Sequence, residues 1–173
     1  STLTVQNIQG SSSSSNTINV ASGHKITGAA GSIAAPGQVL QVVQQQSNTV
    51  FSTTSTSYVD TGFAASITPK FSSSKIYVIA GLNIYNNATN GVSSTTLYRG
   101  GSRISDSATY GHAYGFSNAG AHVHHTTFTY LDSPNTTSST EYKIYISCVT
   151  NGGTLKLCVN NSSSTLTLME IAQ

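Results

Sequence analysis

Residues 75–85 read "KIYVIAGLNIY". Ile76, Val78, Ala80, Leu82 and Ile84 recur at every second position, the period of a strand rather than of a helix. The opposite positions hold Tyr77, Ile79 and Tyr85, so the second face is apolar as well. A sheet with one face in water is normally polar on that face. The last strand candidate repeats the pattern, with Leu166 and Leu168 facing one way and Met169 and Ile171 the other. A lone sandwich has nothing to cover such a second face, whereas a neighbouring subunit of a homo-oligomer does. Tyr77, Ile79, Tyr85, Met169 and Ile171 are therefore candidate subunit-interface residues.

Working outward, short strand candidates follow one another from Val39 to Ile171. They are Val39 to Gln44, Tyr58 to Ile67, Lys75 to Tyr85, Ser94 to Arg99, Ser102 to Ser105, His122 to Leu131, Glu141 to Val149, Thr154 to Asn160 and Thr165 to Ile171. Gly100-Gly101 joins the fourth and fifth as a tight hairpin. Many short strands separated by Gly, Asn and Ser turns indicate an all-β sandwich or barrel, and about eight to ten strands fit a jelly-roll β-sandwich. The sequence divides into residues 1–36, short alternating scraps such as Leu3, Val5, Ile18, Val20 and Ile26 among Gly and Ser, and residues 37–173, which carry the strands. Residues 1–36 hold too few apolar side chains to build a core. They read as a disordered tail or as an extended arm that finds its partners on other chains, and the regular scraps favour the arm.

Only 7% of the 173 residues are charged, against about 25% in an ordinary soluble domain. Ser, Thr and Asn take their place, and these side chains compete with the helical backbone for hydrogen bonds. The formal charge of +2 is spread over single basic residues, so nucleic-acid binding, which needs clustered Lys and Arg, is not expected. Nor is membrane insertion, because no apolar run approaches the roughly 18 residues of a span. The opening "STLTVQNIQG" lacks a basic and then apolar leader, which reads as a protein assembled in a cytoplasm. In "EYKIYISCVTNGGTLKLCVN" an Asn151-Gly152 turn would set Ile146 against Leu157, Ile144 against Val159 and Cys148 against Leu155, all inward. Cys158 would then lie on the other face from Cys148, and both thiols are expected to be free.

Four of the five histidines fall in "GHAYGFSNAGAHVHHTTFTYLD", Gly111 to Asp132. His122 and His124, at i and i+2, are near enough on a strand to share a metal ion. No Cys, Asp or Glu lies close in sequence to complete such a site, so neither a metal nor any other cofactor is expected. Catalysis is not expected either: the acidic residues Asp60, Asp106, Asp132, Glu141 and Glu170 are dispersed, and no G-x-S-x-G elbow is present. Tyr110, His112, Tyr114 and Phe116 alternate along a Gly-rich segment. They fit a recognition loop that stacks on sugars, or equally a strand packing its face on a neighbour. With His122 and His124 they form the candidate surface-recognition set.

The runs "TSTSYVDTGFAASITPKFSSSKIYVIAGLNIY", "TLYRGGSRI", "FTYLDSPNTTSSTEYKIYI" and "STLTLMEIAQ" resemble a widespread group of small virion proteins of tailed bacteriophages, especially marine ones, described as tail-fibre or fibre-like. The resemblance covers about Gly37 to Gln173, and "ASITPKFSSSKI", "YLDSP" and "LMEIA" are its most distinctive pieces. It implies a non-enzymatic particle component, a homotrimer with a thin N-terminal part and a jelly-roll head in the style of complement and tumour-necrosis-factor heads. Such a head would contact host surface polysaccharide, while the arm would bind other virion proteins of the capsid or tail. The alternative place for the same trimer is on the shell, as a capsid decoration protein. From a different class, a monomeric carbohydrate-binding module would be a single chain with Tyr77 and Tyr85 uncovered.

Overall fold

The computed structural model describes residues 20–28, 33–104, 110–117, 120–149 and 153–173. The chain divides into two units, Ser1–Ile33 and Ala34–Gln173. In the first, residues 20–28 form neither helix nor strand. A turn at Ser22 and Gly23 is closed by the His24 amide, which donates to the Ala21 carbonyl at 3.0 Å. Val20 and Ile26 are exposed. The scraps at Leu3, Val5 and Ile18 lie outside the described residues.

The second unit is all-β, with no helix among the described residues. Its strands are β1 (Val39–Ser47), β2 (Phe51–Thr53), β3 (Val59–Ile67), β4 (Lys75–Asn86), β5 (Gly91–Arg99), β6 (Ser102–Arg103), β7 (Ala113–Ser117), β8 (His122–Asp132), β9 (Thr140–Cys148), β10 (Leu155–Leu157) and β11 (Ser164–Ile171). The pairing is nested and antiparallel: β1 with β11, β3 with β9, β4 with β8 and β5 with β7. Because β4 also pairs with β11, and β5 with β9, the nested pairs assemble into two sheets. The first runs β8-β4-β11-β1, and the second runs β7-β5-β9-β3. This rolled double ribbon is the jelly roll. β10 extends the first sheet between β4 and β2, and β6 folds back on β5.

The alternation of the sequence sets which sides meet. Ile76, Val78, Ala80, Leu82 and Ile84 of β4, with Leu166 and Leu168 of β11, face Leu97, Tyr142, Ile144 and Ile146 of the second sheet, and all are essentially without solvent contact. Removing about 25 cal/mol of water contact per Å² from side chains of this size makes the core the main stabilising contribution. At Gly100 and Gly101 φ is +54° and +82°, the left-handed pair that a two-residue hairpin demands, and Arg99 sits opposite Ser102 as the sequence indicates.

The Asn151-Gly152 hairpin is not formed. β9 belongs to the second sheet and β10 to the first: Ile144 pairs with Leu97, Ile146 with Val59 and Cys148 with Ser93, whereas Leu155 pairs with Asn86 and Thr53. The turn residues themselves lie outside the described residues. The segment crosses from one sheet to the other, and the inward set was legible all the same, because both strands point at one core from opposite sides. Neither cysteine is in a disulfide. Cys158, however, is not on an outer face: it is fully buried in a left-handed conformation (φ +58°), with its thiol donating to the Ser47 carbonyl and 3.2 Å from Ser164 Oγ.

Two buried carboxylates, on either side of Ile76, lock one end of the roll. Asp132, at the end of β8, receives Arg99 Nη1 at 2.7 and 2.6 Å and the Tyr142 hydroxyl at 2.6 Å, which ties the first sheet to two strands of the second. Burial, reinforced by the bond to Asp132, pushes the Tyr142 hydroxyl well above the usual phenol range. Glu170 on β11 accepts from Gln41 Nε2 at 2.6 Å and from the Lys70 and Phe71 amides at 2.6 and 3.3 Å, which anchors the β3–β4 loop. Burial alone would raise its pKa. The hydrogen bonds outweigh that and hold the carboxyl below its ordinary value. The pieces "YLDSP", "PKFSSSK" and "LMEIA" thus meet in these two networks.

Candidate functional site

Two surfaces of the second unit stand out, one on the outer face of each sheet. On the second sheet, β7 is hydrogen-bonded to β5 with Tyr114 opposite Ser94 and Phe116 opposite Val92. Both aromatic side chains point outward, Tyr114 at 65% and Phe116 at 58% exposure. Tyr110, also exposed, leans on Tyr114 with ring centroids 5.1 Å apart. The surface continues through side chains that the sequence reading passed over. The Tyr58 hydroxyl lies 2.5 Å from Ser94 Oγ, and the Arg103 guanidinium stands 4.7 Å above the Tyr58 ring. Tyr98 and Tyr145 stack at 3.8 Å across β5 and β9. In "EYKIYI" the positions alternating with buried Ile144 and Ile146 are Lys143 and Tyr145, so the outward direction of Tyr145 was readable from the period alone.

His112 does not join that surface. It stacks on Phe128 at 4.7 Å and meets Tyr130 edge-on at 5.2 Å. The strand alternation begins only at Ala113. Just before it, Gly111 takes φ +64° and bridges Thr95, and a Cβ there would lie 2.3 Å from the Thr95 carbonyl oxygen. The chain turns at that point, so His112 and Tyr114 diverge despite their equal spacing. His122 and His124 also point inward: they lie opposite Asn86 and Ile84 of β4, both fully buried. Their rings stack at 5.0 Å and 10°. His125 faces the other way, where its Nε2 lies 3.4 Å from Asn83 Nδ2. Among the described residues no group of three or more His, Cys, Asp or Glu converges on one point. Of the five acidic residues, Asp132 and Glu170 are held as above, and Asp60 and Glu141 each lie 3.2 Å from Lys143 Nζ. Asp106 lies outside the described residues.

The outer face of the first sheet carries a transverse row. The register sets Val42 of β1 beside Met169 of β11, Met169 beside Tyr77 of β4, and Tyr77 beside Leu131 of β8. Val42 and Leu131 are half exposed or more, at 55% and 50%, and Tyr77, Met169, Ile79 and Ile171 are partly covered. Four of the five candidate interface residues therefore gather at one end of the sheet. Tyr85 stands apart at the other end, with the Lys156 ammonium 5.5 Å from its ring centre. Val42 and Leu131 complete the row across all four strands, and only the pairing register reveals them.

The fold and these surfaces define a two-sheet jelly-roll unit with an apolar outer band. Neither a protein-family model nor a curated protein matches the chain. Among solved structures the chain is similar to the infectious bursal disease virus VP2 subviral particle, at 14% identity and a TM-score of 0.39 over 77% of this chain and 37% of that one. It is similar also to the T=1 particles derived from that virus, at 12% identity and a TM-score of 0.36 over 87% of this chain and 41% of that one. For the Gx strain of the same virus the identity is 14% and the TM-score 0.36, over 85% of this chain and 42% of that one. The chain thus spans about two-fifths of the length of the structures it matches.

Proposed function

We infer that the chain is a non-enzymatic structural protein of a tailed-bacteriophage particle, a homotrimer whose jelly-roll head faces outward and contacts the host surface. The observation that carries this reading is the apolar row Val42, Met169, Tyr77 and Leu131. A monomer has no use for an uncharged apolar band across the outside of a sheet, and a second copy covers it without opposing like charges. The resemblance of "ASITPKFSSSKI", "YLDSP" and "LMEIA" to fibre-like virion proteins supports the particle setting. The exposed Tyr110, Tyr114 and Phe116 support a saccharide ligand, since aromatic faces stack on sugar rings. The N-terminal residues would attach the trimer to other virion proteins, and a chain this poor in charge loses little when salt screens ion pairs.

Light scattering on the full chain tests the assembly. Three times the chain mass, reduced to one by Leu131→Asp, is the expected result; a monomeric wild-type protein would leave a lone sugar-binding module. The trimer is then offered to bacterial cells, to their extracted polysaccharide and to empty capsids. Binding to cells or polysaccharide that is lost in Tyr114→Ala is expected. Binding to capsids alone, with a rise in their melting temperature, would replace the outward head by a shell-decorating role.

A further inference from the structure

His122 and His124 are partly buried at the inner edge of β8, and the Nδ1 of each is buried with no hydrogen-bond partner among the described residues. Asn86, across from His122 and fully buried, accepts the Ala88 amide at Oδ1 at 2.9 Å, but its Nδ2 has no partner among the described residues. Buried polar atoms nearly always find a hydrogen bond, so three such atoms on facing positions of β4 and β8 set this place apart. What covers them is β7. A Cβ built on Gly115 would lie 2.5 Å from His124 Nε2 and 2.9 Å from Ser93 Oγ. β7 is five residues long and pairs with β5, and among the described residues no backbone ladder crosses between β7 and β8. The seam is held by packing against the imidazole pair.

Charge would not be tolerated there. The residues facing the pair are Ile84 and Asn86 from β4, Ser93 from β5 and Gly115 from β7, none of which titrates. The ionisable neighbours of His124 are His122 and His125, which can only repel a positive charge, and no carboxylate among the described residues answers them. Burial first, then these two histidines, lowers the His124 pKa. Protonation favours fuller hydration of the half-buried ring, and the seam without a ladder is the least costly place to open. A metal ion is a poor alternative occupant, because two imidazoles would leave half of a tetrahedral shell unfilled.

We propose that the β7–β8 seam is an acid-released latch: when His124 takes up a proton, β7 separates from β8 and the imidazole pair is hydrated. Tyr114 and Phe116 flank Gly115 on the opposite face of the same strand, so release also displaces the exposed aromatic surface. The latch rests on the geometry of the head and not on what that surface binds. Because the closed form holds His124 below its ordinary value of 6.5, the closed seam is favoured above that pH. Its advantage is lost as pH falls from there through the lowered value.

Hydrogen–deuterium exchange of the full chain at pH about 7.5 and about 5.5, corrected for the intrinsic pH dependence of exchange, tests the latch. Peptides covering Ala113–Ser117 are expected to exchange roughly tenfold faster in acid, while those covering β9 do not change. His124→Phe keeps a ring that cannot be charged and should abolish the difference; His124→Gln serves the same purpose if the phenylalanine variant does not fold. Equal β7 protection at both pH values in the wild type, or an undiminished response in the variants, would overturn the proposal. So would an NMR titration midpoint for His124 at or above 6.5.

Discussion

At one end of β8 the buried Asp132 is met by a guanidinium and a phenol within 2.7 Å, whereas at the other end the half-buried His122 and His124 meet no hydrogen-bond donor or acceptor at Nδ1 among the described residues. Both ends lie between the two sheets on the same strand. The difference shows two uses of buried polarity. A satisfied network fixes the sheets to one another, while an unsatisfied one stays packed only as long as no proton arrives.

The largest expected effect comes from breaking the satisfied end. Asp132→Ala leaves Arg99 and the buried Tyr142 hydroxyl without their shared acceptor, and denaturant unfolding should show a loss of about 3 kcal/mol. Next is Glu170→Gln, which keeps the shape but removes the charge that Gln41 and the Lys70 and Phe71 amides serve; about 1–2 kcal/mol is expected at neutral pH. Since the Glu170 pKa is lowered on folding, its stabilisation is full above the ordinary value of 4.5 and fades as pH falls through the lower folded value. The wild-type and variant stability curves should therefore converge in acid, and a constant gap would show that the charge is not what matters. The smallest effect belongs to the latch end. Gly115→Ala pushes a methyl group toward His124 and should cost about 1 kcal/mol by thermal unfolding, with faster exchange confined to β7. A loss as large as that of Asp132→Ala would mean that the two ends are equally rigid.

Much of the roll was legible in the sequence, because a period of two needs no knowledge of partners. Ile76 to Ile84 announce an inward face, and Gly100-Gly101 a hairpin. What failed depended on where strands go after they end. Cys148 and Leu155 show the same alternation whether the chain folds back within one sheet or crosses to the other. Tyr110 to Phe116 keep their spacing, but one left-handed glycine at Gly111 turns His112 away from Tyr114. The tie between Arg99 and Asp132 joins residues 33 positions apart, and local spacing carries no trace of it. The row from Val42 to Leu131 needs the register of four strands at once, of which two could be recognised as apolar on both faces.

β11 follows every other strand in the chain, yet it lies between β1 and β4 in the middle of its sheet. During synthesis β1 and β4 must therefore wait, each with an open edge, for a strand whose residues emerge well after their own. Closure is a late event between segments far apart in the chain, and topologies of this kind fold in milliseconds to seconds rather than microseconds. In that interval the unfilled slot can accept a β11 from another nascent chain, so the rate of elongation and the crowding of neighbouring ribosomes bear on how much of this protein reaches its native form.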